Sequence, residues 1–360
     1  MSDDTTTVSS ETTTVTTNSE FTPTNSNSSH FKTESAIQSL SSIIPSLPPS
    51  LSVSANPALS LLHDSDVSSH ISSLLRQPNS GSGDNNLCRW LYDTFQSSVP
   101  DLQLLVLRFL PTIAGLYLSR VTQRIPLAGF EAVLLALYAH ETTSRAGQPI
   151  TVNIPDISHP SLYHESKAPI NNNATNLNLA VISPSLEPHG TVRSTKRARI
   201  VGVALELYYS KISQMPIGSK IDFCEFCRIW AGQDGKMYKE DEIGNEIETE
   251  SELSQEPSPH GDDNENENDG IKEGRIPLPW ELLQPILRIM GHCMIMGPSF
   301  KEKELIDAAG EACRSLYARS LHDINPKAIL ATRSLLRLSK MAKENDFDPT
   351  EIPQTNVISL

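Results

Sequence analysis

Two cysteines three residues apart, Cys224 and Cys227 in FCEFC, come nearest to chemistry in this 360-residue chain. A C-x-x-C pair can supply half of a zinc site. A structural zinc needs four ligands, and no second C-x-x-C or histidine pair accompanies this one. The pair could also be a redox dithiol, but that needs a preceding strand and a βαβ setting, which the neighbouring residues do not suggest. On a helix the two side chains share a face. They therefore read first as packing residues, with a metal or redox protein as the alternative.

His164 and Glu165 in SLYHES have acid–base types, yet no nucleophile or third group stands in a pattern that would complete them. Neither a glycine-rich phosphate loop nor G-x-S-x-G occurs. Arg193, Lys196, Arg197 and Arg199 form a short basic cluster. It suits a solvated helix start, and also a nuclear signal or an anionic-lipid contact. Ser183-Pro184 and Ser258-Pro259 have the form of proline-directed phosphorylation sites. No residue set reads as catalytic, cofactor-binding or metal-binding. The expectation is a protein that is not an enzyme, carries no cofactor and works by surface contact.

Charge and composition narrow the class further. The net charge is −14, but Glu240–Asp269 alone holds 13 Asp and Glu with no Lys or Arg, which leaves the remainder at −1. A near-neutral body argues against nucleic acid, which needs a basic face to displace counterions. Five scattered cysteines do not make a disulfide framework, which favours a reducing compartment. The opening MSDDTTTVSS has neither a basic region nor an apolar core, so no secretory signal is expected there. The longest uncharged apolar stretch near Arg108, Phe109–Ser119, is well short of the roughly 20 residues of a membrane span. Membrane contact is therefore expected to be indirect.

Most of the elements that must position these residues are helices. Residues 1–55 are expected to be a disordered tail, since Ser and Thr fill 17 of the first 30 positions. A helical domain is expected over 56–345, interrupted by a Pro-rich loop at 145–195 and an acidic linker at 234–275, with a frayed end at 346–360. The densest apolar stretch, Leu87–His140, is broken by charges and predicts helices at about 87–98, 101–119 and 126–144. Pro100 and Pro126 suit first-turn positions. Thr151–Ile154 is a candidate extended piece. Val201, Leu205, Tyr208, Ile212 and Met215 form one stripe of a helix at about 197–214. Further helices are predicted at about 220–231, ending at Gly232, and at 280–296, 301–322 and 326–343. The 280–296 helix has two apolar rows, one of them opening on Trp280. Asn325 suits an N-cap. The fold class is all-α, a layered and irregular helix stack. Its docking surface is expected on the first three helices, including Leu104, Leu107, Tyr117 and Tyr138.

Several blocks carry a family resemblance. They are PDLQLLVLRFLPTIAGLYL, PLAGFEAVLLALYAHE, ITVNIPDISHPSLYHES, and RARIVGVALELYYSKISQMP running on to FCEFCRIW. PLPWELLQPILRIMGHCM and YARSLHDINPKAIL continue the same order. Together they resemble the hyccin family, in its plant form, over about Leu87–Lys340. The resemblance implies an all-α, non-catalytic subunit of the type III phosphatidylinositol 4-kinase alpha complex. It implies binding to a tetratricopeptide-repeat scaffold subunit and cooperation with a membrane-anchoring subunit. The implied location is the cytoplasm, peripheral at the plasma membrane through those partners. The alternative reading is a nuclear or cytosolic signalling adaptor unrelated to lipid kinases.

Overall fold

The computed structural model describes residues 24–45, 47–48, 54–155, 177–188, 191–193, 195–232, 275–295 and 303–345. The helices are α1 (Thr24–Ile43), α2 (Pro57–His63), α3 (Ser65–Arg76), α4 (Asn86–Gln96), α5 (Pro100–Arg108) and α6 (Leu110–Arg120). They continue as α7 (Ala128–Ser144), α8 (Arg197–Ser210), α9 (Ile217–Ala231), α10 (Trp280–Ile295), α11 (Lys303–His322) and α12 (Pro326–Asn345). One antiparallel ribbon, β1 (Ile150–Pro155) with β2 (Leu177–Ser183), joins α7 to α8. The helices pack in two ranks. In one, α1, α4, α7, α8, α10 and α12 follow each other by contact. In the other, α6 packs on α9 and α9 on α11. A continuous core of Leu, Ile, Val and aromatic side chains lies between the ranks.

Local chemistry explains the boundaries. Asp64 Oδ1 accepts from Val67 N at 2.9 Å to cap α3, and Asn85 Oδ1 accepts from Cys88 N at 3.0 Å to cap α4. Pro100 and Pro326 take first-helical positions, and Asn325 Oδ1 accepts from Ala328 N at 3.3 Å. α9 stops at Gly232, which is left-handed at φ 62°.

The structure corrects several expectations. The 101–119 helix is two, bent by 45° at Phe109. Pro111 has no N–H to donate to the Leu107 carbonyl, and its ring would clash there. Pro126 lies before the N-cap of α7, Leu127, and is not in its first turn. The 197–214 helix ends at Ser210, and Ile212–Gln214 is a 3₁₀ turn. Within the expected tail, α1 is a helix. Leu40 and Ile44 enter the core, Ala36 and Ile43 pack against it, and Trp90 Nε1 donates to Ala36 O at 2.8 Å. A few apolar residues at helical spacing suffice because α4 supplies the surface they cover. The Pro-rich stretch holds the ribbon. Its β1 contains the Thr151–Ile154 piece; β2 is an apolar, β-branched run that the surrounding prolines obscured. The acidic linker lies almost wholly outside the described residues, as does the 346–360 end.

Two helices meet unusually closely. Pro285 sits inside α10 and cannot donate to the Glu281 carbonyl one turn before it. The backbone of α8 approaches at that carbonyl. A Cβ on Gly202 would stand 2.6 Å from Glu281 O, so only glycine fits.

Candidate partner-binding surfaces

Cys224 and Cys227 lie on the inner face of α9 and are buried, as the packing reading expects. Cys293 of α10 and Cys313 of α11 are buried with them. A hydrogen bond with Cys293, reinforced by burial, holds the Cys224 thiol well above its ordinary pKa, and burial does the same for Cys227. Burial pushes Cys313 up to about 12, and Cys88 up to about 11. Burial thus holds the thiols of Cys88, Cys224, Cys227 and Cys313 further from the thiolate that nucleophilic attack uses. Among the described residues, no group of three or more His, Cys, Asp or Glu is placed to hold a metal ion. We expect a maleimide to label these cysteines only as the chain unfolds, so that labelling follows the denaturant transition. Rapid labelling of Cys224 or Cys227 in the native chain would contradict this placement.

His164 and Glu165 lie outside the described residues, as does Ser258. In the basic cluster, Arg199 Nη2 donates to Ser185 O at 2.8 Å and Lys196 pairs with Glu187, while Arg193 is exposed. Much of this charge holds the segment that leads into α8. Ser183 is buried, and its hydroxyl accepts from Arg145 Nη1 at 2.9 Å. A kinase cannot reach it in this fold.

The four residues expected to bind a partner are core residues. Leu104, Leu107, Tyr117 and Tyr138 are at most 7 % exposed. The reason is the position of α5–α7 in the stack. α6 is covered by α3, α7, α8 and α9, and α5 by α2 and α4. The hydroxyl of Tyr138 donates to Glu187 O at 3.2 Å, so this side chain ties α7 to the segment after β2. The apolar excess of Leu87–His140 is used inside the chain.

Exposed apolar side chains are concentrated elsewhere. On the ribbon, Thr151 pairs with Val181 and Asn153 with Leu179, while Val152 pairs with Ala180. Alternation along a strand therefore puts Leu179 and Val181 on one face and Val152 and Ile154 on the other. These four residues are 41–67 % exposed. An isolated two-stranded ribbon is marginal in water, and unpaired strand edges invite pairing. Its base is fixed to the body: Leu186 N donates to Gly147 O at 2.9 Å, and Arg145 reaches both Ser183 and Glu206. A second feature is a groove between α1 and α4, where exposed Phe31 stands near Lys32, Trp90 and Arg89. The sequence signal for the ribbon was the alternation in ITVNI and LNLAVIS. For the groove there was none, because α1 was read as tail.

These features define a class: a layered all-α protein that leaves apolar side chains exposed on a two-stranded ribbon and beside a groove between α1 and α4. The family model for hyccin matches residues 52–357. The chain belongs to the hyccin family.

Proposed function

We propose that this chain is a non-catalytic scaffold subunit of a plasma-membrane phosphatidylinositol 4-kinase complex. In this reading it binds a tetratricopeptide-repeat scaffold subunit and stabilises it together with the type III kinase alpha. A membrane-anchoring subunit holds the assembly at the inner leaflet. The observation that carries the reading is the hyccin match across nearly the whole helical body. The mechanism is physical. Covering apolar surface on this chain removes it from water, and any partner that binds the folded state stabilises it by mass action. Loss of the chain should then lower the abundance of its partners and leave the kinase's turnover per molecule unchanged. A mild-detergent pull-down of tagged protein with mass spectrometry tests the reading. Stoichiometric lipid kinase and repeat scaffold support it; recovery of neither refutes it.

The β1–β2 ribbon is the surface best suited to that partner, because among the described residues it carries exposed apolar side chains and edges that pair with no third strand, on a fixed base. Replacing both Leu179 and Val181 by Asp is expected to cut scaffold recovery at least about tenfold, the scale of one or two lost anchors. The melting temperature of the free chain should change little, since both side chains are already in water. Undiminished recovery would place the interface elsewhere.

A further inference from the structure

Helix α12 packs on α10 and α11, and its other side is exposed. Its inward face buries Ala328, Thr332, Leu336 and Ser339, with Ile329 and Leu335 packed against the core, whereas Leu330 and Leu338 are 67 and 43 % exposed. An amphipathic helix ordinarily turns its leucines inward. With 3.6 residues per turn, Leu330 and Leu338 share an arc of about 100° with Lys327 and Arg337, and Arg333 and Lys340 follow beyond Arg337 on one side. From Ile324 to Lys340 there are four cations and no Asp or Glu. Two further apolar groups extend the ridge. Ile324, in the turn before the helix, is 82 % exposed, and Trp280 of α10 lies with its ring centroid 5.6 Å from Lys327 Nζ.

Charge and shape select what this face meets. Along α12 as far as Lys340 this row of cations carries no carboxylate, with Asp323 beside Ile324 and Glu281 beside Trp280 at its margin, and it matches an anionic surface. A single outer helix is a convex ridge, which fits a flat, deformable interface. There the cations meet headgroups, while leucine and tryptophan enter the acyl boundary. We propose that the α12 ridge docks on the surface of an anionic phospholipid bilayer. This contact belongs to the chain itself. It does not depend on the subunit reading, in which the membrane is reached through other proteins.

The test uses full-length protein and vesicles of phosphatidylcholine alone or mixed with phosphatidylserine. The chain is expected to sediment with the anionic vesicles only, and to be released at high salt. Each basic residue near such a surface is worth roughly a fivefold change in partition, so the Lys327→Ala/Arg337→Ala double variant should bind about 30-fold less. Leu330→Ser/Leu338→Ser should also bind less, with an unchanged helical circular dichroism spectrum, since both side chains are exposed. Failure of the wild type to bind anionic vesicles overturns the proposal, and so does binding that these variants leave intact. If deletion of 240–269 creates vesicle binding that the full chain lacks, that acidic segment is the occupant. If the ridge variants abolish capture of a protein partner while no vesicle binding is seen, the occupant is a protein. Either result also overturns it.

Discussion

Arg319→Ala should lower the unfolding free energy by about 3–5 kcal/mol, because it leaves buried carbonyls without a donor at roughly 1–3 kcal/mol each. The Arg319 side chain is 8 % exposed and satisfies three carbonyls: Trp230 O at 3.2 Å, Ala231 O at 3.3 Å and Ile276 O at 3.0 Å. Its Nε donates to Asp323 Oδ2 at 2.5 Å. These carbonyls belong to the end of α9 and the chain just before α10, the two points that flank residues 233–274. Ile276 N also donates to Trp230 O at 3.3 Å, so α11 holds both strands of the crossing together. No substitution can remove a backbone carbonyl, so its lost partner cannot be matched by an apolar replacement. Arg319→Lys should fail nearly as badly, because one ammonium cannot reproduce the fork that reaches three carbonyls and a carboxylate. Chemical denaturation of both variants checks this. A loss under about 1 kcal/mol for the alanine variant would mean that water or a neighbour replaces the clamp.

Arg145→Ala is expected to have a similar cost, again about 3–5 kcal/mol, with a second, local effect. Arg145 stands just past the end of α7, with its side chain 8 % exposed. It bonds Glu141 Oε1 at 2.5 Å and Glu206 Oε2 at 2.7 Å, both on well-covered carboxylates. Its third bond, to Ser183 Oγ, fixes the last residue of β2. Arg288 approaches Glu206 at 3.5 Å, more loosely, and its guanidinium also lies over Tyr209. Removing Arg145 leaves two covered carboxylates short of a counter-charge and frees the base of the ribbon. Amide exchange over 177–183 should therefore accelerate more than exchange in α9 or α11. If the ribbon carries the partner, Arg145→Ala should also weaken scaffold capture, although this side chain is buried. Uniform acceleration across all helices would show a general loss of stability and no specific anchoring of the ribbon.

Much of the helical plan is legible in the residues. The two stripes of α8 are Val201, Leu205 and Tyr208 with Ile200, Val203 and Leu207, and all six are buried. Asn325, Pro326 and Gly232 act as cap, first-turn residue and terminator because their backbone chemistry is local. The error at Phe109 is also local. Proline two residues later breaks the ladder, but apolar periodicity alone runs through it. α1 illustrates the opposite case. Its own residues cannot hold a helix, and Trp90 and α4 decide the matter from more than fifty positions away. On α10, Trp280 continues an apolar row by spacing, yet it is exposed against Lys327, because the row outruns the helices that cover it.

By itself the sequence determined the helical class, most helix ends, the packing role of Cys224 and Cys227, and membership of the hyccin family. All of these depend on local backbone preference, on periodicity or on residue order along the chain. Tertiary structure alone decided which apolar residues remain outside. Leu104, Leu107, Tyr117 and Tyr138 are taken into the core, while Leu179, Val181, Leu330 and Leu338 are left in water. Both groups are apolar, and leucine occurs in each. What separates them is which neighbouring helix arrives to cover each face, and that is set by contacts between segments distant in the chain.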